Sequence, residues 1–156
     1  INICTEVIMG LFNLIWFLVF GFINSIIYLV LSLIFAITII GIPIAKSLLQ
    51  CAKLSAFPFG KEVIRETELK GKENVSGYRK TGGIILNIIW FPLGLTLSLL
   101  HLILGIVAFI TIIGIPIGVV YVRMSKFLLF PIGAKVVSNK QAIASAVANE
   151  ITKRQN

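Results

Sequence analysis

Only a few side chains in this sequence sit where they could do chemistry. Two windows, 7–45 and 84–122, contain no Asp, Glu, Lys or Arg, and His101 is the one group inside either whose ordinary titration falls near neutral pH. An ionisable residue in such a setting is a functional candidate by default. Imidazole also changes charge near neutral pH. His101 therefore reads either as a proton-sensing gate or as a solvated histidine near an outer turn, with an apolar residue at the equivalent place in the first half. Asn13 and Asn87 are the next candidates, as a polar path or as contacts between helices, since an asparagine in hydrocarbon needs a hydrogen-bond partner. Asn24, Ser25, Ser32, Thr96 and Ser98 complete the sparse polar set.

Two breaks have chemical consequences of their own. Gly41-Ile-Pro43 and Gly114-Ile-Pro116 combine a permissive residue with one that lacks an N–H, which removes a helical hydrogen bond and bends the chain. Freed carbonyls in a membrane must find partners. The breaks therefore read either as broken helices lining a path or as kinks that turn each span into the interface plane. Thr38 and Thr111 stand five residues before each proline, placed to bond the opened turn. Glu62 and Glu66, four apart, could share a helix face, but they lie among Lys61, Arg65 and Lys70. No phosphate-cradling loop, nucleophile elbow or metalloprotease motif is present. The expectation is a protein that is not an enzyme and has no cofactor and no metal site. Cys4 and Cys51 have no partner at ligand spacing and read as small apolar filler.

The elements that must position these residues follow from composition. Of 156 residues, 58% are hydrophobic and 13% charged, and mean hydropathy is +1.02. A soluble domain is near half apolar and about a quarter charged, so a bilayer is the better solvent, and disorder is excluded. The net charge of +8 and pI of about 9.8 would suit nucleic acid, but all 14 Lys and Arg residues fall within 46–80 or 123–156. A span needs roughly 20 apolar residues, and each window has 39. Cytoplasmic flanks carry the basic excess, so both windows should cross an even number of times. That predicts an all-α integral membrane protein with about four transmembrane helices, near 7–23, 25–45, 80–97 and 99–121. The outer turns would be Gly21–Ser25 and Leu95–Ser98, with both termini cytoplasmic. One span plus a re-entrant segment per window is the alternative. The first apolar run is too long for a signal peptide and has no basic leader.

The chain also repeats. Asn13-Leu-Ile-Trp16-Phe17 returns as Asn87-Ile-Ile-Trp90-Phe91, and Thr38-Ile-Ile-Gly41-Ile-Pro43-Ile44 returns letter for letter as Thr111-Ile-Ile-Gly114-Ile-Pro116-Ile117. Phe57-Pro-Phe-Gly60 then matches Phe130-Pro-Ile-Gly133. Copies followed by basic flanks on the same side are parallel repeats, related by an axis along the membrane normal. The doubled Ile-Gly-Ile-Pro, the Trp-Phe after Asn, the Phe-Pro-x-Gly blocks and the Thr81-Gly82-Gly83 lead-in resemble the YccF-domain family of small bacterial inner-membrane proteins. The resemblance runs from about residue 10 to 138. It implies membrane spans in two related halves and an inner-membrane location, and it brings no mechanism with it.

Four regions follow: a membrane repeat at 7–60, a cytoplasmic connector at 61–80, a second repeat at 81–133, and a cytoplasmic helix or tail at 134–156. After each break, segments 44–57 and 117–130 read as amphipathic helices lying at the headgroups, with Lys46, Lys53, Arg123 and Lys126 facing anionic lipid. The alternative is a ring of cations at a pore mouth. Ser138-Asn-Lys-Gln141 has the pattern of a capping box, and Ile143, Ala144, Val147, Ala148 and Ile151 follow as a narrow stripe that invites homo-oligomerisation. The functional expectation is an oligomeric channel or transporter-like pore for ions or small solutes. The alternative is a structural or regulatory scaffold binding anionic lipid or a cytoplasmic partner. No nucleic acid is expected.

Overall fold

A computed structural model describes residues 3–71 and 76–155. Glu73, one of the connector's four glutamates, lies outside the described residues. The first apolar window does not turn at 21–25. Helix α1 (Ile3–Trp16) runs through one π-helical turn, Phe17–Gly21, into α2 (Phe22–Ala36), a continuous helix of 34 residues. At about 1.5 Å per residue it is roughly 50 Å long. The chain then reverses, and α3 (Gly41–Ala56) runs back along it. Strand β1 (Lys61–Arg65) and a short helix α4 (Glu66–Lys70) follow. The second half repeats the scheme with α5 (Gly77–Phe109), α6 (Ile115–Leu129), β2 (Ala134–Ser138) and α7 (Asn139–Gln155).

The expected turns at Gly21–Ser25 and Leu95–Ser98 are thus corrected, because nothing in either stretch stops a helix. Gly21 closes the π turn, and Pro92 is carried inside α5. Thr96 Oγ1 donates to the Pro92 carbonyl at 3.0 Å, and the helix continues past it. Reversal happens where the sequence placed kinks. In the first half Thr38 Oγ1 donates to the Phe35 carbonyl at 3.1 Å and accepts from the Gly41 N–H at 3.0 Å. In the second half Thr111 does the same to Ala108 and Gly114, at 3.2 and 3.0 Å. A Cβ on Gly41 or Gly114 would run into the carbonyl of Phe35 or Ala108, so the turn requires glycine. Pro43 and Pro116 lie in the first turns of α3 and α6, where a missing N–H removes no helical bond. They start helices and do not kink them.

Helices α3 and α6 do not lie across the ends of the spans. Ser32 Oγ donates to the Ala45 carbonyl at 2.8 Å and Trp16 Nε1 to the Ser55 carbonyl at 2.7 Å. One partner number rises as the other falls, so α3 stands antiparallel beside α2. Ser98–Ser125 at 2.9 Å and Trp90 Nε1 to the Leu128 carbonyl at 2.8 Å set α6 beside α5 in the same way. The core is drawn from both hairpins and includes Trp16, Tyr28, Leu48, Leu54, Trp90, Met124 and Leu128. Outward faces are apolar, and at the reversals Ile39 and Ile112 are 88% and 86% exposed.

The connector holds a strand that the sequence reading missed. β1 pairs antiparallel with β2 from Lys61↔Ser138 to Arg65↔Ala134, about a central Val63↔Val136 pair. Gly60 and Gly133, at φ of 79° and 87°, make the left-handed turn from each Phe-Pro-x-Gly block into its strand. Downstream, Ser138 Oγ accepts from the Gln141 N–H at 3.3 Å, one arm of the capping box at the start of α7.

Candidate functional site

Of the residues singled out as a polar path or as helix–helix contacts, Asn13, Asn87, Thr38 and Thr111 are spent on backbone groups that close the fold. Asn13 Nδ2 donates to the Phe59 carbonyl and its Oδ1 accepts from the Phe59 N–H, both at 2.9 Å. Asn87 grips Ile132 identically, donating at 2.9 Å and accepting at 3.1 Å. Each asparagine thus satisfies both backbone groups of a residue next to the glycine that turns into a strand. The two tryptophans each donate Nε1–H to one carbonyl near the end of α3 or α6, that of Ser55 or Leu128. Thr38 and Thr111 complete the reversals. Asn13, Asn87, Thr38 and Thr111 make no hydrogen bond to one another.

His101 has a different neighbourhood from the one expected. It is buried in the second half of α5, more than two helical turns before the reversal at 110–114. Its Nδ1 is 2.8 Å from the Leu97 carbonyl, which can only accept, so Nδ1 carries the proton. Nε2 then accepts from the Tyr28 hydroxyl at 2.9 Å. Tyr28 is the polar counterpart that His101 was expected to lack. The two lie 73 positions apart, the spacing that also relates Thr38 to Thr111. Upstream, Trp16 and Trp90 are 74 apart. The first half has one extra residue between its Trp and its Thr, and the π turn at Phe17–Gly21 absorbs it. A change of offset inside the repeat was the available signal. The expectation of an apolar residue opposite His101 came from carrying the upstream offset too far.

Charged groups collect at the other end, around the ribbon. Glu66 stands among Lys70 Nζ at 3.1 Å, Lys135 Nζ at 3.5 Å and Arg79 Nη1 at 3.6 Å. The Lys70 hydrogen bond, reinforced by the charge of Lys135, holds its carboxyl below the usual range against the opposing effect of partial burial. Lys61 lies 5.5 Å over the Phe57 ring, and burial pushes its ammonium downward, with the charge of Lys53 adding to the effect. Arg123, expected to face lipid, instead pins the ribbon: Nη1 donates to the Lys61 carbonyl at 2.7 Å and the Pro58 carbonyl at 3.3 Å. Gln50 Oε1 accepts from the Val136 N–H at 3.2 Å on the opposite strand. Lys46, Lys53 and Lys126 are exposed. Between β1 and α6 lies a cleft of about 340 Å³ whose wall includes Glu62, Arg65, Glu68, Arg123, Lys126 and Phe130. Of the cysteines, Cys4 is exposed and Cys51 is buried. No group of three or more potential metal ligands occurs among the described residues.

Two helices are long and apolar enough to cross a bilayer; each is backed by a shorter helix, with a charged two-stranded ribbon at one end, an arrangement that fits the all-α membrane class. The YccF family profile, described as an inner membrane component domain, matches residues 11–61 and again 85–134. Inner membrane protein YccF of Escherichia coli (strain K12) is 36% identical over 139 residues, covering 88% of this chain and 93% of that relative. The protein of the same name from Shigella flexneri matches to the same extent. The chain belongs to the YccF family of inner membrane proteins. No solved structure matches it.

Proposed function

We propose that the chain is a membrane-anchored platform, in which two related hairpins enter the inner membrane from the cytoplasmic side and hold a rigid, basic surface against it. The ribbon, α4 and α7 form that surface. It binds anionic lipid or a cytoplasmic partner, with both termini on the cytoplasmic face. One observation carries this reading: Asn13, Trp16, Thr38, Asn87, Trp90 and Thr111, on or beside the apolar helices, bond to backbone groups of their own chain. These six side chains build the anchor and are not left to line a path. The basic residues of the ribbon end account for the chain's charge asymmetry and suit an anionic leaflet, at about 1 kcal/mol per cation near the surface.

The test is reconstitution into proteoliposomes. A platform gives no ion flux above empty vesicles, and its thermal stability rises with the anionic lipid fraction. Flux that disappears with Lys46→Gln would overturn it.

That outcome belongs to a second reading, carried by Lys46 itself. Because α3 stands beside α2, this exposed lysine is five residues from Gly41, close to the isoleucine-rich reversal. Cations at such a depth face a polar cavity or a partner. Copies of the chain meeting along α3 would ring a conduit with one Lys46 each, suited to anions or small anionic solutes. In that homo-oligomer the lining is α3, and the asparagines and His101 remain structural.

A further inference from the structure

The cleft between β1 and α6 holds an unusual mixture of charge. Lys126 on one wall and Glu62 and Glu68 on the other make no ion pair among the described residues. Arg65 donates Nη1 to the Ile132 carbonyl at 3.2 Å, and Arg123 donates Nη1 to two carbonyls. A guanidinium has five N–H donors in a planar fork, so each retains donors for a ligand. At about 340 Å³ the cleft is at the small end of ligand sites, which run from roughly 300 to 1,000 Å³. Phe130, half-exposed, contributes to its wall and continues from the apolar helix α6.

A simple anion would meet Lys126 and the arginines but would also face two carboxylates. A simple cation would meet the reverse. We propose that the cleft binds a zwitterion carrying a phosphate diester and a primary ammonium, the headgroup chemistry of phosphatidylethanolamine. The phosphate sits on Lys126 and the free edges of Arg65 and Arg123. The ammonium donates to Glu62 and Glu68, and the acyl chains leave past Phe130 along α6. This rests on the platform reading and adds, beside that surface's general attraction for anionic lipid, one cleft that selects a zwitterionic headgroup. A quaternary choline has no N–H to offer the carboxylates, and a glycerol headgroup has no cation, so both are discriminated against.

The experiment is thermal unfolding of the full chain in detergent micelles, titrated with phosphatidylethanolamine, phosphatidylglycerol, phosphatidylcholine and soluble glycerophosphoethanolamine. Phosphatidylethanolamine is expected to bind about tenfold more tightly than the other two lipids, the worth of one charge-assisted hydrogen bond. The double substitution E62Q/E68Q, on exposed side chains that support no fold contact, is expected to abolish that preference. K126Q is expected to weaken phosphatidylethanolamine and phosphatidylglycerol alike. Phosphatidylglycerol binding at least as tightly, and indifferent to E62Q/E68Q, overturns the zwitterion while the platform stands. No lipid response at all overturns both. Glycerophosphoethanolamine binding as tightly as the lipid overturns the membrane as the source of the headgroup.

Discussion

Asn87 supports the most discriminating perturbation of this fold. Its amide makes two bonds to Ile132, at 2.9 and 3.1 Å, both part-buried. Asn87→Ala removes both and leaves a backbone donor and an acceptor without their partner. Side-chain hydrogen bonds inside membrane proteins are worth roughly 0.6–2 kcal/mol each. Two of them at intermediate burial therefore predict a loss of about 1–3 kcal/mol. Thr96→Ala is the control, since it deletes one exposed bond within its own helix and should cost under about 0.5 kcal/mol. Reversible unfolding in bicelles gives both numbers. Hydrogen exchange adds a local readout, because the Ile132 amide should lose protection in the Asn87 variant alone. A residue lining a conduit predicts the opposite pattern, with altered flux and little change in stability. Equal, small losses for both substitutions with unchanged protection at Ile132 would refute the closing role.

Three other outcomes follow from the same geometry. Deleting Val19 from the π turn should let α1 and α2 run on as a regular helix with the Trp16 and Thr38 bonds intact. Deleting Leu93 from α5, which has no spare residue, should rotate everything downstream by roughly 100° and unfold the second hairpin; similar thermal stability for the two deletions would contradict the assignment. Gly94→Ala places a Cβ 2.6 Å from the Leu128 carbonyl, the acceptor of Trp90 Nε1. It should cost more than about 2 kcal/mol, read as a lower unfolding midpoint, whereas Gly10→Ala meets nothing within 4 Å and should be neutral or better. Glu66 titrates below its ordinary value in the folded chain. Its contribution is therefore present above the unfolded carboxylate range and lost as pH falls through the depressed value. Glu66→Gln should flatten the acid limb of a stability–pH profile, and an unchanged limb would remove Glu66 from that account.

What was legible in the sequence was mostly class, and the reason is local. The two uncharged windows and the placement of every Lys and Arg require a hydrocarbon solvent whatever the fold, because composition sets transfer free energy residue by residue. The Thr-Ile-Ile-Gly-Ile-Pro blocks and the Phe-Pro-x-Gly stops could also be located, since glycine and proline constrain their own backbone. Where the chain reverses was less legible. A turn in an apolar run is set by which turn can satisfy its own polar groups, and Thr38 with Gly41 does so where Asn24 and Ser25 do not.

Other features depended on contacts far apart in the chain. Lys61–Arg65 looks like a solvated connector until Ala134–Ser138 is placed beside it. Arg123 reads as a lipid-facing cation until Pro58 and Lys61 present their carbonyls to it. Segments 44–57 and 117–130 have a polar and an apolar side, and that pattern fits the headgroup plane as well as the flank of another helix. The bonds from Trp16 and Trp90 decide it. His101 and Tyr28, each alone in its window, become one buried pair because the π turn brings two unequal halves into register. By itself the sequence determined that this is a membrane protein built from two similar runs, because solvent preference and local backbone chemistry are properties of single residues. Tertiary structure decided which side chains are spent on closure and which remain free. That depends on which backbone groups are left unpaired once helices pack, and no single segment contains that information.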